Sequence, residues 1–383
     1  MHIAILGRQP ALGIAELEML FDNTRWFSAN SALFETDHFD IEKVGGTQKA
    51  GRVIVELPRG DWRQVSMKLV QHYKSAWAKS DAKITLGISA YGFDVDPRDV
   101  QKTGIILKNK LKETGTSLRL VPNQEATLSS ATSHHNKLGL SDTKIELLVV
   151  KASNGRIVLA ESTGAQNITA LAARDQGRPK RDAFVGMLPP KLAQIMINLA
   201  PTNGRILDPF CGTGVILQEA ALLGNAVYGT DLAEKMISFS EINLKWLAES
   251  HHITIDSQLK VGDAIDSKWQ QPIDAVVTET YLGQPFSAPP SNSKLTEVRG
   301  NCNRIISSFL KNIGTQIEPG TPLCVAVPAW RDANGDFVHL PLTDAINELG
   351  YERVEITTVR QDQLLYYRED QIVARELLVL VKR

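Results

Sequence analysis

The chain has 383 residues, of which 43% are hydrophobic and 22% charged, with a formal net charge of −1 at pH 7. Those values suit two or three folded domains and exclude a disordered or collagen-like chain. No apolar run approaches the roughly 18–20 residues that cross a bilayer. The opening MHIAILGRQP is too short and too poorly flanked for a secretory signal. Cys211, Cys302 and Cys324 are isolated, which argues against a zinc site or a disulfide framework and fits a reducing, cytoplasmic setting. The charge is uneven along the chain. Residues 1–181 carry 25 Lys and Arg against 19 Asp and Glu, and the remainder 17 against 24. Either the first half attracts an anionic partner such as RNA, or this is ordinary scatter of surface charge.

In chain order, HIAILG (2–7) reads as a strand. ALGIAELEMLF (11–21) reads as a helix with Leu12, Ala15, Leu17 or Met19 and Leu20 turned inward. A Gly45-Gly46 turn precedes a strand expected over 52–57. KITLGISAYG (83–92) reads as a strand, and residues 96–115 as a helix that starts at Asp96-Pro97 and stops at Gly115. Strands SLRLVP, IELLVVKA and RIVLAEST follow, the last two joined by a Ser153-Asn154-Gly155 turn. Antiparallel strands with helices on one side make an α+β module. The polar, basic stretch 166–181 reads as a linker. Beyond it strands and helices alternate, as in a mostly parallel α/β sheet covered on both faces. MLPPKLAQIMINLA is a helix with Leu192, Ile195, Met196 and Leu199 on one stripe. GRILDPF, NAVYGTD, LKVGDA, DAVVTETY, PLCVAVPA, RVEITTV and QIVARELLVLVKR supply strands, the last two placed to pair as an antiparallel edge hairpin. GVILQEAALLG and EKMISFSEINLKWLAES are helices between them.

LDPFCGTG (207–214) sits at a strand-to-helix transition, where Gly212 and Gly214 let backbone approach a ligand. A dinucleotide turn would read GxGxxG and receive a pyrophosphate. Here Asp208 precedes the glycines, which suits a cationic ligand, the ammonium and sulfonium of S-adenosyl-L-methionine, better than a phosphate. Asp231 ends the next strand, placed for ribose hydroxyls as the corresponding acid is in dinucleotide sites. Asp263 ends the third, placed for an adenine amine. Phe210, Leu232 and Ala264 flank these acids and complete the expected cofactor set. The alternative for each acid is a helix cap or turn residue. Cys211 reads as an apolar filler rather than a nucleophile, because no histidine base is near it in sequence.

The runs ARDQGRPKRDAFVGMLPPKLAQIMINLA, ILDPFCGTGVILQEAALLG and GTDL resemble the THUMP-domain tRNA guanosine N2-methyltransferases of archaea and eukaryotes. GRQPALGIAELEMLF, KVGGTQKAGRVI and LGISAYG extend the resemblance to the front of the chain. It implies a ferredoxin-like domain over 1–74, a THUMP domain over 75–165, a linker over 166–181 and a class I methyltransferase domain over 182–383. It further implies methyl transfer from S-adenosyl-L-methionine to a guanine N2 amine in tRNA, with no metal, and with or without a small activating subunit such as some eukaryotic relatives need. Lys108, Lys110, Lys112 and Arg119 are candidates for phosphate contacts, or simply a solvated helix face. Arg174 and Arg178, before the catalytic domain, are candidates for substrate contact or for surface ion pairing.

Family members carry Asp or Asn, then Pro-Pro and an aromatic residue, after the fourth strand. A side-chain acceptor and a backbone carbonyl take the N–H bonds of the amine, and the ring stacks on the flipped base. This chain reads Thr278-Glu279-Thr280-Tyr281-Leu282-Gly283 there. Thr278 falls at the acceptor position, Tyr281 keeps the aromatic ring, both prolines are missing, and Glu279 supplies the acceptor if the turn is shifted by one residue. Three readings stay open: a tRNA guanine-N2 methyltransferase, an RNA-binding protein that keeps the fold without turnover, and an amino-methyltransferase acting on another nucleic-acid base or on protein.

Overall fold

A computed structural model describes residues 1–182, 188–286, 288–332 and 334–383. The chain divides into two units whose segments interleave. One comprises residues 1–10, 21–43 and 47–170, and the other 11–20, 44–46 and 171–383. Residues 183–187, in the middle of the ARDQG run, lie outside the described residues.

The elements of residues 1–182 are β1 (His2–Leu6), α1 (Pro10–Leu20), β2 (Asp22–Ser28), β3 (Ser31–Glu35), β4 (Thr47–Leu57), α2 (Trp62–Ala76), β5 (Ile84–Tyr91), α3 (Pro97–Lys112), β6 (Leu118–Leu120), α4 (Ser130–His135), β7 (Lys144–Lys151), β8 (Ile157–Ala165) and α5 (Ile168–Gln176). The strands form one sheet in the order β2-β3-β1-β4-β8-β7-β5-β6. Helices α2 and α3 cover one face through Trp62, Leu69, Tyr73, Val100, Leu107 and Leu111. The second of these helices starts where expected, with a proline in its first turn and the Asp96 side chain accepting from the Arg98 amide at 2.8 Å, which is how a helix start satisfies its orphan donors. Gly155, whose φ of +87° is left-handed, makes the turn between β7 and β8. Lys49 and Glu146 form a buried ion pair inside this unit.

Several elements here depart from the residue pattern. The strand β4 begins at Thr47, straight after Gly46, rather than at residue 52. The front part also holds β2, β3 and α2, none of which the residue pattern suggested. The stretch read as a linker is half helix. There α5 runs over Ile168–Gln176, because Leu171 and Arg174 are buried along one side.

The second unit continues with α6 (Pro190–Leu199), β9 (Arg205–Asp208), α7 (Val215–Leu222), β10 (Ala226–Asp231), α8 (Glu234–His251), β11 (Ser257–Val261), β12 (Ala275–Glu279), α9 (Asn292–Gly314), β13 (Pro322–Arg331), β14 (Phe337–Val338), β15 (Tyr351–Arg353), β16 (Leu365–Tyr366) and β17 (Val373–Lys382). Its sheet runs β11-β10-β9-β12-β13-β17-β15, parallel from β11 to β13, with β17 antiparallel between β13 and β15. This is the mostly parallel sheet with an antiparallel edge that the strand spacing predicts. The edge strand falls on 351–353, so most of RVEITTV lies outside it.

Strand residues alternate between two cores, as a period of two requires. Ile206 and Val277 pack with α6, α7 and α8, while Leu207 and Val276 pack with α9. The four residues Leu192, Ile195, Met196 and Leu199 are buried as expected. The long helix α9 is a finding of the structure. A mid-helix Gly300 and many polar residues hide its stripe Leu295, Val298, Cys302, Ile306, Phe309, Leu310 and Ile313. Among the described residues no helix is long and apolar enough to cross a membrane.

Candidate active site

Strand order reverses at β9, because β10 and β11 step to one side and β12 and β13 to the other. Ligands of such sheets bind outside the carboxyl ends of the strands at this switch point. A cavity of about 610 Å³ opens there, lined among others by Asp208, Gly212, Asp231, Asp263, Glu279 and Tyr281. The volume falls within the roughly 300–1,000 Å³ of small-molecule sites.

The glycine turn is held from outside. Gly212 (φ +51°) and Gly214 (φ +80°) adopt left-handed backbone, which glycine alone enters without steric cost. A Cβ on Gly214 would lie 2.9 Å from Ser240 Oγ. Ser240 Oγ, from α8, donates to the Gly212 carbonyl at 2.9 Å, and Asn243 Nδ2 donates to the Thr213 carbonyl at 2.9 Å. The three acids end three neighbouring strands or their loops. Asp231 Oδ2 accepts from the Gly212 amide at 3.0 Å and Oδ1 from the Ala233 amide at 2.9 Å, so its carboxylate is fixed in orientation. Asp263 Oδ1 accepts from the Ile265 amide at 3.1 Å. Asp208 is buried, and accepts from Thr278 Oγ1 at 2.7 Å and the Phe210 amide at 3.2 Å. Burial pushes its carboxyl up to about 7, the nearby charges of Asp231 and Glu279 add to the rise, and the two donors oppose it without winning.

Of the other expected cofactor residues, Phe210, Leu232 and Ala264 line the cavity, Leu232 with 71% of its surface exposed. Gly214 caps α7 behind the lining. Cys211 touches the cavity as a buried thiol raised well above its usual range, chiefly by desolvation, which fits a filler rather than a thiolate nucleophile. Residues that the sequence did not single out also line it: Pro209, Ile265, Leu282, and Asn301 with Ile305 one turn apart on α9.

The end of β12 corrects one expectation. Thr278 has no exposed surface and its hydroxyl is turned to Asp208, so it does not face the cavity. Glu279, the next residue, does, and it pairs with Arg375 of β17. Tyr281 lines the cavity and is 44% exposed.

The basic residues divide. Lys108 and Lys112 are exposed and share a face of α3, being four apart, whereas Lys110 is half-buried and leaves the opposite side of the helix. Arg119 is exposed and donates to Asn136 Oδ1 at 3.2 Å. Arg174 is buried in a bidentate pair with Glu219 (2.7 and 3.1 Å), so it cannot also bind a surface phosphate. Arg178 is buried too, and burial lowers its affinity for its proton. The surface role expected of these two arginines gives way to packing, since both guanidinium groups are covered. No group of three or more His, Cys, Asp and Glu side chains among the described residues is arranged to hold a metal.

Residues 178–308, which hold the strand-end carboxylates Asp208, Asp231 and Asp263, match the model of a family described as RMKL-like, methyltransferase domain. The relatives support the resemblance read from the sequence. The chain is 33% identical over 162 residues to the tRNA (guanine(10)-N2)-dimethyltransferase of Methanothermobacter thermautotrophicus, a match covering 41% of this chain and 44% of that protein. It is 37% identical over 111 residues to the protein of the same name from Pyrococcus abyssi, covering 28% and 32%. The matched part thus spans less than half the length of these relatives. The crystal structure of TrmN from Thermus thermophilus has the same fold, with a TM-score of 0.53 over 100% of this chain and 99% of that one at 15% identity.

Proposed function

We propose that the chain transfers a methyl group from S-adenosyl-L-methionine to the exocyclic N2 amine of a guanosine in tRNA. The observation that carries this reading is the switch-point cavity, where the three strand-end acids meet Glu279 and the exposed Tyr281 ring. The names of the relatives point to the same base and amine.

The residues present fit this cofactor. Asp208 is a buried carboxylate raised to about 7, so a cation beside it would relieve a real electrostatic deficit. Asp231, oriented by two backbone amides, keeps acceptor capacity for ribose hydroxyls. Asp263 is the acceptor for the adenine amine, and the exposed Leu232 and Ile265 side chains offer apolar surface beside it. When bound, S-adenosyl-L-methionine supplies an electrophilic methyl on a sulfonium. The work of the protein is then to orient the amine. Its lone pair is delocalised into the ring, and Glu279 accepts one N–H so that the lone pair is directed across the cavity. Tyr281 stacks on the flipped base, a contact worth about 1–3 kcal/mol. Lys108, Lys112 and Arg119 are the exposed cations for phosphate contact. In this reading residues 1–74 and 75–165 serve as ferredoxin-like and THUMP modules that hold the tRNA.

Incubating the protein with bulk tRNA and labelled S-adenosyl-L-methionine, then digesting to nucleosides, is expected to give N2-methylguanosine, singly or doubly methylated. Label on adenosine or on protein, or no label transferred, would sink the reading.

A further inference from the structure

The turn after β12 lacks the two prolines of the resembled motif, yet its acid still reaches the cavity. We propose that Arg375 and Thr280 replace them, as positioning residues that hold the Glu279 carboxylate in place by hydrogen bonds where the prolines would hold it by covalent geometry. The inference rests on the methyl-transfer reading above.

A proline locks its own φ through the ring and removes the amide donor. Thr280 does the opposite. Its amide donates to the Ala326 carbonyl of β13 at 3.0 Å, and its Oγ1 donates to the same oxygen at 2.9 Å. The side chain is buried, so neither bond competes with water. Glu279 sits opposite Ala326 in the parallel pairing of β12 and β13. Arg375 pairs with Pro328, two residues further along β13, in the antiparallel pairing with β17. The Arg375 guanidinium therefore reaches over β13 to donate through Nε to Glu279 Oε1, with both side chains largely buried. Two independent ties, one to the backbone after the acid and one to the acid itself, thus converge on the same short stretch of β13. Gly283 closes the turn at φ +81°, where a Cβ would come 2.8 Å from Val298.

The chemistry needs this stiffness. A side chain that directs a weak nucleophile loses roughly a hundredfold in rate for a displacement of about 1 Å. Arg375 lies outside the cavity lining, so its contribution runs through Glu279 and leaves the cofactor wall alone.

The test is steady-state kinetics of the full chain on tRNA with Arg375→Ala, Arg375→Lys, Thr280→Val, Glu279→Ala and the double variant Glu279→Ala/Arg375→Ala, with S-adenosyl-L-methionine affinity measured by calorimetry. Arg375→Ala is expected to lower kcat roughly a hundredfold, with the tRNA KM and the cofactor Kd within about threefold of wild type. Arg375→Lys, which keeps a donor and the charge, should recover part of the loss. Thr280→Val keeps shape and amide and should lose several-fold in kcat, a smaller loss than Arg375→Ala because Thr280 itself lines the cavity and its amide bond to Ala326 remains. The double variant should be no slower than Glu279→Ala, because Arg375 has nothing left to position. Losses that add in the double variant, or a cofactor Kd that worsens in step with kcat, would overturn the inference while the function stands. A wild-type protein that makes no N2-methylguanosine overturns both.

Discussion

Replacing Asp208 by Asn separates what this residue costs the fold from what it gives the site. The folded carboxyl sits at about 7 against an ordinary 3.8. At about 1.36 kcal/mol for each pH unit of that rise, the penalty is on the order of 4 kcal/mol once the group is ionised. The sign follows from proton linkage. Below about pH 4 both folded and unfolded chains hold the proton, and nothing is lost. Between about 4 and 7 the unfolded chain releases its proton while the folded one retains it, so stability falls as pH rises. Above about 7 the full penalty applies. Asn keeps the shape and an Oδ1 acceptor for Thr278, but removes the ionisation. The ligand-free Asp208→Asn protein should therefore melt well above wild type at pH 8, on the order of 10 °C higher for a unit of this size, with the gap shrinking towards pH 5. Cofactor affinity should move the other way. In wild type the Kd for S-adenosyl-L-methionine should rise up to about tenfold per pH unit below 7, since only the ionised form attracts the cation. In Asp208→Asn it should be weaker and flat. Scanning fluorimetry and calorimetry at pH 5.5, 7 and 8 read both quantities. Equal melting temperatures at all three values, together with a pH-independent wild-type Kd, would refute the assignment of Asp208 as a buried, cation-seeking acid.

Glu16 is the second buried acid raised to about 7, by burial that outweighs its three donors, the amides of Gly45 and Gly46 (2.8 Å each) and Asn198 Nδ2 (2.8 Å). Glu16→Ala removes the common acceptor of these three buried hydrogen bonds, so a marked fall in the urea midpoint is expected, and an unchanged midpoint would count against the network. Arg174→Ala strips the partner from the buried Glu219 carboxylate. It should destabilise by roughly 3–5 kcal/mol while leaving the salt dependence of tRNA binding unchanged, and a shallower salt slope would restore Arg174 as a phosphate contact. Lys108→Glu with Lys112→Glu should weaken tRNA binding and reduce the magnitude of the log–log salt slope by about 0.7–0.9 per lost phosphate contact, with wild-type thermal stability. An unaltered slope would make that face of α3 a solvated surface and nothing more.

How much of this was legible depended on how local the physics was. The strands of the second unit read easily, since β9, β10, β12 and β13 are buried on both faces and appear as short apolar runs bounded by turns. The helix α9 did not, because it covers one face only, carries Gly300, and spreads its seven buried residues over 23 positions. With it went Asn301 and Ile305, the α9 contribution to the cavity wall. In the front half, α2 was hidden by polar residues between Val65, Leu69 and Tyr73, although its Asp61 cap and the Gln64 that completes the capping box are a readable start signal. Arg174 and Arg178 illustrate the opposite failure. A basic tract looks like surface until the carboxylate that covers one of its members is known, and Glu219 lies 45 residues away in sequence.

The acid at the end of β12 shows where pattern gives out and parity takes over. In a strand, successive side chains leave on opposite faces, so a one-residue shift changes what a residue touches. Val276 belongs to the core under α9 and Val277 to the core under α6 and α7. Thr278, on the Val276 side, meets Asp208 and is buried; Glu279, on the other, reaches the cavity. Aligning the turn on its aromatic ring sets Thr278 at the motif's first position, whereas the strand's own alternation turns Glu279, not Thr278, to the cavity. The hydroxyl at 278 then gains a separate meaning. It donates to the Asp208 carboxylate, and so partly offsets that group's burial. Thr278→Val should accordingly weaken cofactor binding more than it slows methyl transfer at saturating cofactor. A variant that lost kcat while holding cofactor affinity would return Thr278 to the acceptor position.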